Sequence, residues 1–151
     1  MHIQRDGIAS QGHGARHEGL ANAPRLSTHS PNRNEKRVSE LQVTARLSIH
    51  PGKLAEFKQV AAQCMQSVRE KDTGTLKYDW FLSADESECL VHEKYQDSNA
   101  VFEHIGNLGE TMGALLGVCD LSLEVCGSPS AELVAATTEM APKIYAPFQK
   151  L

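Results

Sequence analysis

Long apolar runs are the first thing this sequence lacks. No stretch approaches the ~18 to 20 residues needed to cross a bilayer, and the first thirty residues carry no apolar segment of the kind found in secretory signals. Those two absences lead us to expect a soluble, cytoplasmic chain with no membrane partner. Aromatic residues are scarce too, at 5% with a single Trp, so any place where they gather is informative. The four cysteines, Cys64, Cys89, Cys119 and Cys126, form no C-x-x-C pair and have no histidine at metal-ligand spacing. They read as reduced, mostly buried thiols, and no metal site is expected.

Clustered positive charge is also missing from the body of the chain. Residues 1–37 hold six Lys or Arg against three acids, a charge of +3, whereas residues 38–151 hold nine against sixteen, a charge of −7. An acidic body argues against a nucleic-acid partner, because phosphate contacts need grouped Lys and Arg. The first 37 residues have few large apolar side chains and many Gly, Ser, Asn and Pro. Such a stretch buries too little surface to offset its chain entropy, so a disordered basic tail is expected there. Whether it serves a function or lies upstream of a true start near Val38 is left open by composition.

What remains, residues 38–151, suffices for one domain with one core. Leu41, Val43, Ala45, Leu47 and Ile49 alternate with polar residues and predict a strand, which Pro51-Gly52 stops. Leu54, Phe57, Ala61, Cys64 and Val68 then recur at helical spacing up to Gly74. "TLKYDWFLSA" and "ECLVHEKYQ" flank an acidic turn around Glu86-Ser87 and predict a hairpin. Asp97 is placed to cap a helix whose apolar face carries Val101, Ile105 and Leu108. A short helical stretch through Leu115-Leu116 precedes a last strand with Leu121, Leu123 and Val125.

The order β-α-β-β-α-β predicts an α+β, ferredoxin-like antiparallel sheet with both helices on one face, its core over residues 41–127. The opposite face would show Thr44, Arg46, Lys77, Phe81, Leu90 and His92, and pairing it with the same face of a second copy predicts a homodimer. Residues 128–151 read as a Ser130-capped helix to about Met140, then a tail that Tyr145 and Phe148 anchor on the domain or across to a partner chain.

The scarce aromatics gather in "YDWFLSADESECLVHEKYQDSNAVFEHIGN", residues 78–107. An even-numbered loop pairs positions whose numbers sum to 173, setting Trp80 opposite Glu93, Tyr78 opposite Tyr95 and Asp79 opposite Lys94. Tyr78, Trp80, Glu93 and Tyr95 then share a face, and His104 points from its helix towards the sheet. If both look into one space, they frame a pocket with aromatic walls and titratable groups. Ordinary packing accounts for the same residues, since Trp and Tyr are common strand residues and a lone His on an apolar face is often a bonded core residue. Glu93 fits that bland reading least well.

The phrases "RLSIHPGKLAEF", "GTLKYDWFLS" and "HEKYQDSNAVFEHI" resemble the antibiotic biosynthesis monooxygenase family, small ferredoxin-like proteins that dimerise through their sheets into an α+β barrel. The likeness spans residues 41–127, and its most specific element is the E-x-Y-x-D-x-x-A-x-x-x-H run of Glu93, Tyr95, Asp97, Ala100 and His104. It implies oxidation of quinols, anthrones or similar electron-rich phenols by molecular oxygen, with no cofactor. His104 would be the base, Tyr78 and Trp80 the stacking walls and donors, and Glu93 the group orienting His104 or a water. Tyr95 and His92 would contact a small aromatic substrate. The family also includes haem degraders with an Asn, Trp and His set, but the first strand here offers Thr44 or Arg46 where an Asn is wanted. A non-catalytic small-molecule-binding dimer is the alternative, and a purely dimerising module would show no cavity near His104.

Overall fold

Alternation along the first strand decides which side of the sheet is covered. The computed structural model describes residues 40–151, so the tail expected over residues 1–37 lies outside the described residues. In β1, Leu41–Ile49, the side chains of Leu41, Val43, Ala45 and Leu47 are buried while Gln42 and Arg46 are exposed. The turn at Pro51-Gly52 follows, and Gly52 takes a φ of 79° that suits a residue without a Cβ. Helix α1, Leu54–Lys71, then buries Phe57, Cys64 and Val68 in the core, and also buries Ser67, whose Oγ donates to the Asn107 carbonyl at 2.8 Å. Each fully buried apolar side chain of this kind stabilises the fold by roughly 1.5–3 kcal/mol relative to exposure.

The return to the sheet passes Gly74, where an added Cβ would sit 2.5 Å from the Cβ of Ala100, so close packing against the next helix requires glycine. Strands β2, Thr75–Leu82, and β3, Glu88–Tyr95, form the expected hairpin, but its register differs from the expectation by two residues. Positions now sum to 171: Tyr78 pairs with Glu93, Trp80 with Val91 and Asp79 with His92. The reason is local. A four-residue loop is closed by the Ser83 N–H donating to the Glu88 carbonyl at 2.8 Å. Inside it the Asp85 carboxylate accepts from Ser83 Oγ at 2.7 Å and Ser87 Oγ at 2.8 Å, while Glu86 adopts a left-handed φ of 56°. A bulge between Thr75 and Lys77 absorbs the slip at the far end. The charges expected to pair across the hairpin find other partners, Asp79 with Lys77 at 3.6 Å and Lys94 with Glu40 at 2.7 Å. A shift of two preserves parity, so every side chain keeps its expected face.

Asp97 caps α2, Ser98–Leu108, by accepting from the Ala100 N–H at 2.9 Å. Helix α3, Glu110–Leu116, and strand β4, Cys119–Cys126, complete the β-α-β-β-α-β order. β1 pairs antiparallel with β3 on one side and β4 on the other. The fold is ferredoxin-like, with its helices over the face that carries Leu41, Val43, Ala45 and Leu47.

The C-terminal segment departs from the sequence reading. Ser130 does cap α4, its Oγ accepting from the Leu133 N–H at 3.2 Å, but the helix spans only Ala131–Ala136 before a single 3-10 turn at Thr138–Met140. The chain then adds a fifth strand, β5, Lys143–Tyr145, parallel to β4, giving the sheet order β2-β3-β1-β4-β5. Tyr145 and Phe148 do not anchor it within this chain, being 49% and 93% exposed. Leu133 does that instead, buried against Leu41 and Val101. Among the described residues no helix is long and apolar enough to cross a membrane. Three cysteines are buried and Cys126 is exposed, all of them free.

Candidate functional site

Between the sheet and its helices lies a cavity of about 80 Å³. β1 supplies an aliphatic floor, β2 and β3 bring Tyr78, Trp80, Glu93 and Tyr95, and α2 brings His104. The C-terminal segment closes one end with Leu133, Met140 and Ile144. Among the groups lining it, the polar side chains are few and concentrated on the hairpin and α2, which leaves the remainder a low-dielectric surround.

His104 is 4% exposed, and its Nδ1 lies 2.8 Å from Asp72 Oδ2. Asp72 stands just after the last turn of α1 and also accepts from Asn107 Nδ2 at 2.8 Å and Thr75 Oγ1 at 2.6 Å. Burial pushes the Asp72 carboxyl upward, but the hydrogen bonds from Thr75, Asn107 and His104 outweigh it and hold the group below its ordinary value. Asp72 is therefore an ionised, accept-only partner, which places the proton on His104 Nδ1 and leaves Nε2 as the basic nitrogen. Nε2 makes no hydrogen bond among the described residues. Burial pushes the His104 pKa below 6.5, opposed by Asp72, so the imidazole is neutral at neutral pH.

The loop that carries Asp72 is tied to α2 by a second contact. Glu103 accepts from Thr73 Oγ1 at 2.9 Å and from the Thr73 N–H at 3.1 Å. Glu103, His104 and Asn107 thus grip the 72–75 turn from three adjacent positions of one helix.

The rings of Tyr78 and Tyr95 meet the His104 ring edge-on, with centroids 5.0 and 5.3 Å away, and Trp80 packs T-shaped on Tyr78 at 5.6 Å. Trp80 also tilts against Phe57 at 6.1 Å. Its indole N–H is buried and makes no hydrogen bond among the described residues. It lies near enough to the Tyr78 hydroxyl to oppose that group's rise in pKa without reaching hydrogen-bond geometry. Burial, reinforced by the nearby Glu93, drives the Tyr78 and Tyr95 hydroxyls far above their ordinary value, so both remain protonated donors.

Of the two parts expected for Glu93, orienting His104 or a water, the first belongs to another residue, since Glu93 makes no hydrogen bond to His104 among the described residues. Its Oε2 accepts from the Tyr95 hydroxyl at 2.6 Å, and burial pushes its pKa up to about 7 against that bond. Asp72 takes the orienting part, and sequence reasoning missed it because "KDTG" carries only the composition of a turn. His92, expected to touch substrate, lies on the other face of the sheet with its ring 5.2 Å from Phe81. Four expected residues on the hairpin (Tyr78, Trp80, Glu93 and Tyr95) and His104 do come together around one cavity. Among the described residues no group of three or more His, Cys, Asp or Glu is placed to hold a metal ion.

A sequence model of the antibiotic biosynthesis monooxygenase family matches residues 41–107. No curated protein matches in sequence. Among solved structures, MupZ from Pseudomonas fluorescens is similar with a TM-score of 0.67 at 18% identity, covering 75% of this chain and 93% of its own. Rv0793 from Mycobacterium tuberculosis is similar at 0.54 with 22% identity, covering 61% and 97%. SnoaB from Streptomyces nogalater, described as a cofactor-independent oxygenase, is similar at 0.52 with 18% identity, covering 62% and 96%. At these identities the likeness shows the fold.

Proposed function

Because residues 41–107 form a domain of the antibiotic biosynthesis monooxygenase family, we propose that this chain is a cofactor-independent monooxygenase that oxidises a small quinol, anthrone or similar electron-rich phenol with molecular oxygen. The observation that carries this reading is the Asp72-held imidazole of His104, whose free Nε2 belongs to a residue lining an apolar cavity with aromatic walls.

In this scheme His104 Nε2 removes a proton from the substrate and Asp72 stabilises the imidazolium that results. The substrate anion passes one electron to triplet oxygen, which removes the spin barrier to reaction, and recombination of the radical pair forms the carbon–oxygen bond. The second oxygen atom leaves as water. A phenol titrates near ~10, above the neutral His104, so the anion needs donors beside it. The protonated Tyr78 and Glu93 are the groups at hand. Size ranks the substrates: an engineered cavity that admits benzene measures about 150 Å³, so a space of 80 Å³ takes even one ring only after its walls yield, which favours a single-ring quinol over a fused-ring anthrone. Haem is far larger, and no asparagine lines this space.

The protein works as a homodimer in this reading, through the open sheet face where Phe81 is 51% exposed beside His92. An apolar cavity would equally serve a binder without turnover, so the decisive measurement is oxygen uptake over a panel of hydroquinones and anthrones in metal-free buffer. Wild type should consume oxygen, and His104→Ala should lower kcat by about 10²–10⁴-fold. Full turnover in that variant removes His104 from the mechanism; saturable binding with no uptake by wild type leaves the binding reading standing.

A further inference from the structure

In the oxidation Glu93 serves only as a hydrogen-bond donor beside the substrate anion, yet it is a carboxyl set in the same cavity as a neutral imidazole. Its neighbours explain how it stays there. On its own strand Tyr95 donates to Oε2 at 2.6 Å; Tyr78 pairs with it from β2; Val43 pairs with it from β1 and is apolar. Asp72, from the turn after α1, makes its ionisation harder, Cys64 on α1 is held as a neutral thiol with its pKa pushed up to about 11, and no Lys or Arg lines the cavity. Tyr95 links the two titratable groups directly, since its hydroxyl binds Glu93 and its ring packs on His104.

The lining of one cavity therefore includes a base on α2 and an acid on β3, with the Tyr78 and Tyr95 rings packed beside the base. We propose that Glu93 is the proton donor facing the His104 base, so that this cavity interconverts the keto and enol forms of a small cyclic ketone without consuming oxygen. His104 Nε2 takes the α-proton, and the C–H electron pair becomes the new C=C bond. The carbonyl π pair takes the proton from the Glu93 O–H, leaving an enol, an imidazolium beside Asp72 and a Glu93 carboxylate. Reversal moves a proton from the imidazolium to carbon and the enol O–H proton to the Glu93 carboxylate, which restores both groups, so no oxidant or reductant is needed. With oxygen present the same proton abstraction would open the oxidation proposed above; the inference rests on that assignment of His104 as base.

The test is solvent deuterium incorporation at the α-carbon of cyclopentanone and cyclohexanone, followed by NMR in D₂O under strict anaerobiosis with the full chain. Wild type should exceed protein-free buffer, and His104→Ala and Glu93→Gln should each reduce the excess by about a hundredfold. Gln retains an acceptor for the Tyr95 hydroxyl, so the fold should persist. The pH profile separates chemistry from support: the wild-type rate should fall above about pH 7, where Glu93 loses its proton, and Glu93→Gln should lack that limb. Exchange at the wild-type rate in Glu93→Gln, or oxygen uptake by wild type with no anaerobic exchange, overturns the inference, the latter while leaving the oxygenase reading intact. Exchange without any oxygen uptake supports the inference and sinks the oxygenase instead.

Discussion

The two faces of one sheet hold two histidines in contrasting states. His104 reaches the covered face from α2, where it is 4% exposed and its pKa is pushed below its ordinary value. His92 stands on the open face among Phe81, Lys94 and the exposed Asp79, with its ring stacked obliquely on Phe81. They stand only twelve positions apart in the sequence. The contrast teaches that sequence proximity to an aromatic cluster says little about chemistry, whereas strand parity says a great deal. On the covered side desolvation sets the direction of the shift at His104 and Glu93 while hydrogen bonds overcome it at Asp72; on the open side the charged side chains face water.

The largest effect that would sharpen this contrast, after loss of His104 itself, is expected from Asp72→Asn. Asparagine can still reach the ring, but it no longer fixes the Nδ1–H tautomer or balances an imidazolium, so kcat should drop by about 10–100-fold with KM little changed. Asp72 is also the influence that opposes burial at His104, so its removal should move the acid limb of the pH profile to still lower pH. A limb that stays in place, or moves up, would show that Asp72 does not govern the imidazole.

Next in size is a stability effect at Glu93. Its folded pKa, about 7, lies above the ordinary 4.5, so its contribution is fully present below pH 4.5 and is lost as pH rises through 7. Glu93→Gln mimics the protonated form at every pH. The stability of wild type relative to this variant should therefore fall by up to about 3 kcal/mol between pH 4 and pH 8, read from urea midpoints. His104 and Asp72 titrate in both proteins and cancel in the difference. A gap that does not change with pH means Glu93 ionises freely in the folded state.

Much of this frame was legible beforehand. Period-2 alternation in β1 and period-3.6 spacing in α1 identified the covered face, because both patterns are set by the backbone itself. The hairpin register was not legible, since Asp85 and its two serines set the loop through side-chain bonds that competed with the attractive pairing of Asp79 and Lys94. Parity survived the slip, which is why Tyr78, Trp80, Glu93 and Tyr95 still share the cavity. Asp72 was hidden for a different reason: its part depends on a contact 32 residues away, made possible by Gly74 letting α2 approach the turn. β5 was hidden because a three-residue strand, set among the four residues between Pro142 and Pro147, carries too short a pattern to read.

The smallest effect belongs to the open face, and it is the one that would break the contrast outright. His92→Ala removes a ring that touches Phe81 and no cavity group, so kcat and KM for any turned-over phenol should stay within about twofold of wild type, the range of an ordinary surface substitution. Phe81→Asp should leave the isolated fold standing, since this side chain is half-exposed, while placing like charges against each other in a face-to-face pair. Sedimentation should then show a shift from two copies to one. A hundredfold loss of turnover in His92→Ala, with the pair intact, would mean that the open face contributes to the reaction and that the cavity beside His104 is not where the chemistry occurs.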